Sequence, residues 1–409
     1  MESSDGTAWD DEVRAWMEAT VGPVTSGSAT PDLEVFRDLT DAQEEELLDK
    51  IRAYRRTRFD AGYGALTLPV EHGGAGLPAS FAARFSQIER EYAVPPSTEL
   101  ISVTTGLVAP AVALFGTDAQ RDRFLAPLLR TDQLACQLFS EPSAGSDLAG
   151  LACRAVQHGD SWTVHGQKVW SSGARHADLG LLLARTDPDV VKHRGITAFL
   201  LPLDTPGVTI RPIRQMSGGS SFNEVFLGAV EIPDELRIGE VGRGWDVAKA
   251  TLAYERQASG TGARQKGGSF ADLLALARSM GATDDSVVRQ RLADIYVLST
   301  LRDATAQRVA RAAAAGVSPG PAGSVGKLVA SDLLVQIGEF AADLLGMRTV
   351  ADHGDGSFEW TAHLLGAPGY RLAGGTDQIQ RNIIAERVLG LPAEPRLDMG
   401  VAFSQLRRG

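Results

Sequence analysis

The apolar positions of the chain change period twice. From Asp41 the stretch DAQEEELLDKIRAYRRTRF places Leu47, Leu48, Ile51 and Tyr54 three or four residues apart, the spacing of one helix face, with Thr40 or Asp41 as N-cap. LTLPVEHGGAGLP breaks the pattern with Gly73, Gly74 and Gly76, and TDAQRDRFLAPLLR opens a second capped helix at Thr117. Beyond Leu134 the period shortens. WTVHG from Trp162 alternates, LGLLLA from Leu179 is short and wholly apolar, and GITAFLLPL from Gly195 runs into a turn at Asp204 to Gly207. From Gly244 helical spacing returns. It is clearest in SDLLVQIGEFAADLLG, where Leu333, Leu334, Ile337, Phe340, Ala341, Leu344 and Leu345 make one broad face ending at Gly346. The Ala-, Gly- and Pro-rich stretch from Ala312 to Ser324 predicts a loop between two helices. The predicted order is helices, strands, helices.

Composition narrows the partners. A chain of 409 residues can hold one large unit or two to three packed subdomains. Its formal charge of -11 argues against nucleic acid, which is held by clustered Lys and Arg. Cys136 and Cys153 are the only cysteines and form no CxxC pair, and no two of the seven histidines stand at i, i+4. Neither a disulfide framework nor a metal site is expected. The polar, acidic start from Met1 to Asp10 has no apolar core segment, and no uncharged run reaches the roughly 18 residues of a membrane span, so the expectation is a cytoplasmic protein. Gly326-Lys327 imitates the end of a phosphate-binding loop, but Pro321 and Leu328 stand where that motif needs Gly and Ser or Thr.

Three segments carry the chemistry that remains. QLFSEPSAGSD, Gln137 to Asp147, offers hydroxyls at Ser140, Ser143 and Ser146 and, at Gly145, a backbone N–H with no side chain in its way. GQKVWSSGA from Gly166 sets Trp170 beside Ser171 and Ser172. AGGTDQIQRNIIAERVLGLP from Ala373 puts two glycines and Thr376 ahead of a helix, a geometry that presents N–H groups to an anion or a carbonyl oxygen. Each also reads as ordinary structure: a capped turn, a core tryptophan, a plain helix start.

Taken in order, these segments and MSGGSSFNEVFLGAVEIP resemble the acyl-CoA dehydrogenase family, of the bacterial FadE-like kind, from about Asp41 to Pro392. The resemblance implies an α+β fold: an N-terminal helical domain (1–134), a middle β-barrel or sandwich domain (135–238), a C-terminal four-helix bundle (239–392) and a tail (393–409). It implies FAD held without a Rossmann domain. Gln137, Phe139, Ser140, Gly145 and Ser146 would line the flavin, with Ser146 also near the thioester. Trp170 and Ser172 would lie against the isoalloxazine, and Gly375, Thr376 and Gln378 would hold the diphosphate. The implied reaction is the α,β-dehydrogenation of an acyl-CoA to its trans-2-enoyl-CoA in β-oxidation, with electron-transferring flavoprotein as the acceptor.

The reaction needs a carboxylate at the substrate Cα. Many family members carry it just before the GT of the third segment, where this chain has Gly374. Others resemble the isovaleryl and long-chain types and supply it from a helix, before an Arg; here TLAYERQ offers Glu255 as the catalytic base and Arg256 beside the substrate. Glu255 lies seven residues after Ala248 and three after Leu252, on the apolar side of its helix, although the same two residues also read as a surface charge pair. Asp377 and Glu386 are expected to matter far less for flavin reduction. The family's RxxFG and QxxGGxG words, which reach a neighbouring subunit's FAD, are replaced by GGSFADLLALARS and LLGMRTVADHGDG. A homotetramer and a mixed dimer of dimers therefore both stay open. So do two other readings, a noncatalytic flavin-binding partner subunit and a flavin oxidase or monooxygenase of the same fold.

Overall fold

The computed structural model describes residues 2–23, 33–36, 38–260, 267–314, 321–395 and 398–406, with the backbone alone for 2–6, 256–260, 313, 314 and 322. The first part is helical: α1 (Glu2–Thr20), α2 (Asp41–Asp60), α3 (Ala79–Glu89), α4 (Glu99–Val103), α5 (Ala109–Phe115) and α6 (Asp118–Arg130). Thr40 and Thr117 each close a capping box with the glutamine three residues on, which starts α2 and α6 where the sequence predicts and makes Thr40 the cap of α2. Val13 and Met17 of α1 pack with Tyr63, Phe85 and Ile88, while Leu48 and Ile51 of α2 join the core shared by α6 and the sheet. Between α4 and α5 the helix widens into a π turn, Thr104–Val108. There the buried Thr104 hydroxyl accepts the Ala135 N–H at 2.9 Å, so the widened turn fixes the start of the first strand.

Eight strands follow: β1 (Ala135–Leu138), β2 (Arg154–His158), β3 (Ser161–Ser172), β4 (Leu179–Arg185), β5 (Ile196–Pro202), β6 (Val208–Ile213), β7 (Phe222–Pro233) and β8 (Arg237–Ile238). Their order is β6-β7-β3-β2-β4-β5-β8, with β1 parallel to β4. The β2–β4 seam is one residue pair, Arg154 with Arg185, so the two halves fold over a common core in which Trp162 of β3 meets Phe199 of β5 at 5.3 Å. The end strands β6 and β8 are not neighbours. Of the two expected forms, the sheet takes the sandwich and not the closed barrel.

The last part is a bundle of α7 (Gly244–Gly260), α8 (Phe270–Ser279), α9 (Ser286–Ala314), α10 (Ala322–Leu345), α11 (Glu359–Tyr370) and α12 (Asp377–Arg387). Helix α10 runs through its middle, with α7, α9, α11 and α12 packed around it. The predicted face of α10 is buried at Leu333, Leu334, Ile337, Phe340, Ala341 and Leu345. The loop expected over Ala312 to Ser324 is shorter than predicted, because alanine favours helix: α9 runs on to Ala314 and α10 already begins at Ala322. Its middle lies outside the described residues. A short segment, Leu33 to Phe36, docks on the bundle. A Cβ on Gly366 or Gly369 of α11 would stand 2.8 Å from Val35 Cβ or 2.7 Å from the Phe36 ring, so these glycines admit the segment.

Candidate functional site

The first two segments form one wall. The Val169 N–H donates to Ser140 O at 2.9 Å, pairing the end of β1 with β3. Beneath them the fully buried Lys168 ammonium donates to Phe139 O (3.1 Å) and to Glu141 Oε1 (2.7 Å). The Glu141 carboxylate also accepts the N–H groups of Ala152 (2.7 Å) and Cys153 (2.9 Å), so a buried ion pair holds both segments in register. Above this clamp β3 slips register against β7 between Lys168 and Ser171. Trp170 stands in that bulge at φ 61° and is 59% exposed. The core reading of this tryptophan is therefore wrong: a bulky side chain at positive φ is strained, and the bulge turns it outward. Phe139 is buried and Gln137, Ser140 and Ser172 half-buried beside it, while Gly145 and Ser146 are exposed, with open space around Gly145.

The third segment forms the other side. Gly374 (φ 64°) and Gly375 (φ 85°) turn the chain into α12, whose N-cap Thr376 accepts the Ile379 N–H. The buried Gln380 amide donates to Gly374 O at 2.8 Å, and its Oε1 is buried with no hydrogen-bond partner among the described residues. A Cβ on Gly374 would lie 3.4 Å from Glu255 Oε1. Residues 119 positions apart in sequence thus converge, and the half-buried Glu255 fills the space that Gly374 leaves. The Arg256 side chain lies outside the described residues. Gln378 is exposed.

Asp377 is more than a bystander on this turn. It is 1% exposed and receives bonds from Lys327 Nζ (3.0 Å), Ser331 Oγ (2.8 Å) and Arg371 Nε (2.9 Å). Burial pushes its pKa up, but the bonds from Arg371, Lys327 and Ser331 outweigh that and hold it below its ordinary value. These bonds give Asp377 a structural role on the turn, while Glu386 is half-buried further along α12. A row of rings ties the two sides together: Trp170 to Phe222 (6.0 Å), Phe222 to Phe36 (5.4 Å) and Phe36 stacked on Tyr370 (5.3 Å), four residues before Gly374. The segment that replaces RxxFG is used for packing, with Gly267 and Gly268 lying against His363 and Trp360.

Sequence reasoning missed Lys168, Glu141, Lys327 and Gln380. Each lies inside or beside a segment already singled out, yet its partner was not readable. A cavity of about 540 Å³ lies away from this site, lined by Phe115 to Phe124 and Asp234 to Glu240. Among the described residues no group of three His, Cys, Asp or Glu could hold a metal, and no helix is long and apolar enough to cross a membrane.

The wall fits a flat, polar-edged cofactor: the Trp170 ring is exposed, Gly145 leaves backbone approachable, and the Ser171 hydroxyl is buried with no hydrogen-bond partner among the described residues. Comparison with known proteins agrees. The N-terminal, middle and C-terminal domains of acyl-CoA dehydrogenases match residues 7–132, 136–230 and 242–389. Acyl-CoA dehydrogenase IpdE1 of Mycobacterium tuberculosis is 38% identical over 87% of this chain and 91% of its own length. Two solved structures share the fold. Tcur3481-Tcur3483 steroid ACAD has a TM-score of 0.75 at 23% identity, and the ChsE4-ChsE5 complex from Mycobacterium tuberculosis 0.72 at 24%; each alignment covers 96% of this chain and 99% of the other. The chain belongs to the acyl-CoA dehydrogenase family, FAD-binding oxidoreductases of lipid β-oxidation.

Proposed function

We propose that this enzyme dehydrogenates an acyl-CoA between Cα and Cβ, with Glu255 as the base. The observation that carries the reading is the 3.4 Å between Glu255 Oε1 and the Cβ position of Gly374. The carboxylate from α7 reaches the point from which the turn itself would otherwise present one. When bound, FAD supplies at N5 the acceptor for the hydride that leaves Cβ. Glu255 takes the Cα proton, and the Cα–H electron pair becomes the new double bond of the trans-2-enoyl-CoA. Gln137, Phe139, Ser140, Gly145, Ser146, Trp170 and Ser172 would bind and orient the flavin ring. Ser146 and Arg256 would face the thioester, and Gly375, Thr376 and Gln378 the diphosphate. Electron-transferring flavoprotein would reoxidise the enzyme.

Anaerobic bleaching of the flavin absorbance by a panel of straight, branched, steroid-derived and carrier-bound acyl thioesters tests the reaction and sorts the acyl group. Steroid-derived thioesters enter the panel because a solved neighbour is named a steroid ACAD. Glu255→Gln keeps shape and removes the base, so FAD and acyl-CoA should bind while reduction slows by about 10² to 10⁴. Reduction at the wild-type rate would transfer the chemistry elsewhere and favour a noncatalytic, flavin-binding partner subunit. The replaced RxxFG and QxxGGxG words support a mixed dimer of dimers over a homotetramer. Native mass measurement with and without coexpressed dehydrogenase-like chains decides between them. Rapid reoxidation of the reduced flavin by oxygen would indicate an oxidase or monooxygenase instead.

A further inference from the structure

Beyond the bundle the chain returns to the sheet, and it does so at the loop that faces the proposed flavin and thioester site. The Lys192 ammonium, 12% exposed, donates to both oxygens of Asp147 (2.8 and 2.9 Å) and lies 2.5 Å from Asp398 Oδ2. Asp147 is the residue after Ser146; Asp398 belongs to the tail. A second contact repeats the arrangement seven residues away. Arg185, buried in β4, donates to the carbonyls of Ala149 (2.6 Å) and Leu151 (3.1 Å) and to Lys192 O (2.5 Å), and its guanidinium lies 3.8 Å over the ring of Phe403. Phe403 is 4% exposed, its N–H bonds Val190 O at 2.9 Å, and Ala402 pairs with Val191. Two tail residues therefore each cover a cation, one gripping the end of the site loop at Asp147 and the other the segment just after it.

We propose that residues 398–406 are a strap that positions the Ser143–Asp147 loop, with Lys192 as the positioning residue that transmits it. The charges are arranged for this work. One ammonium between two carboxylates is satisfied only when tail and loop are both in place, and losing either leaves it half paired. Asp398 is held below its ordinary pKa by the hydrogen bond from Lys192, and Lys192 is raised because its bonds to Asp147 and Asp398 outweigh its burial. The strap rests on the reading of Ser140 to Ser146 as the flavin- and thioester-facing loop, and it adds to that reading a residue outside the site on which the loop's position depends.

Lys192→Met and Asp398→Asn break the bridge without touching the site. The side chain of Asp147 is 63% exposed, so an unpaired carboxylate there does not threaten folding. In the apoprotein both variants should speed hydrogen exchange of the amides of 143–151 while the rest of the sheet keeps its protection. In the loaded protein FAD retention should weaken by about 10-fold, the scale of one lost hydrogen bond to a charged group. At saturating FAD the KM for acyl-CoA should rise more than kcat falls. Lys192→Arg, which can span both carboxylates, should restore all three. A yellow, substrate-bleached wild type whose Lys192→Met and Asp398→Asn variants match it in exchange, FAD retention and KM overturns the strap alone. A wild type that never holds FAD overturns the reading beneath it as well.

Discussion

The wall and the turn each contain one buried ion pair, and the two pairs are built differently. Lys168 and Glu141 have side chains 0% and 6% exposed, and their remaining bonds go to backbone groups just after β1 and just before β2. Lys327 and Asp377 are 6% and 2% exposed, but Asp377 shares itself with Ser331 and with Arg371, which is 42% exposed. The first pair is sealed beneath the wall, joining β3 to the segment after β1, and no other cation bonds Glu141 among the described contacts. The second joins α10 to the turn before α12 and has a solvent-reaching alternate. Removing a cation leaves a buried anion in both cases, but only at the turn does a second cation remain to stabilise it.

The contrast predicts a graded series. Lys168→Met should cost the most, about 3–5 kcal/mol, because Glu141 is left charged in the sheet interior; denaturant unfolding measures it. Lys327→Met should cost less, about 1–3 kcal/mol, since Arg371 and Ser331 still bind Asp377. Equal losses would show that Arg371 gives no cover. The pH dependence of stability sharpens the same point. The folded pKa of Asp377 lies below its ordinary 3.8, so its contribution is complete above that value and is lost as pH falls through the folded pKa. The stability gap between wild type and Asp377→Asn should therefore narrow below about pH 4. Trp170→Ala should have the smallest effect on folding, within about 0.5 kcal/mol, because the ring is exposed and alanine keeps the Cβ, so the backbone cost at φ 61° is unchanged. Yet it should visibly alter FAD retention and the flavin spectrum, the opposite profile to Lys168→Met.

Much of the architecture was legible because its signals are local. Thr40 and Thr117 cap helices within four residues, Leu179 to Ala184 announces a buried strand by composition, and the α10 face is complete within fifteen residues. The exposure of Trp170 was not readable from alternation, which alone favours a core tryptophan, because alternation carries no mark of a bulge: one shifted register between Lys168 and Ser171 changes which side chains face inward. The same slip, with another between Val164 and Gly166, hid Lys168 as a buried cation. The open sandwich was undecided for a related reason, since closure depends on whether β6 meets β8, and nothing within either strand encodes a partner.

The sequence by itself determined the element order, the capped helix starts, the polar and glycine-rich segments, and the absence of a side chain at Gly374. Those are properties of residue type and short-range spacing, which the chain carries unfolded as well as folded. Only the tertiary structure decided that Glu255 lies 3.4 Å from where a Gly374 side chain would begin, that Asp377 is buried against Lys327, and that the tail reaches Lys192. Each of these joins segments 50 or more residues apart, and such contacts are set by how α7, α10, α12 and the sheet pack around their cores, a global balance of burial that no local pattern records.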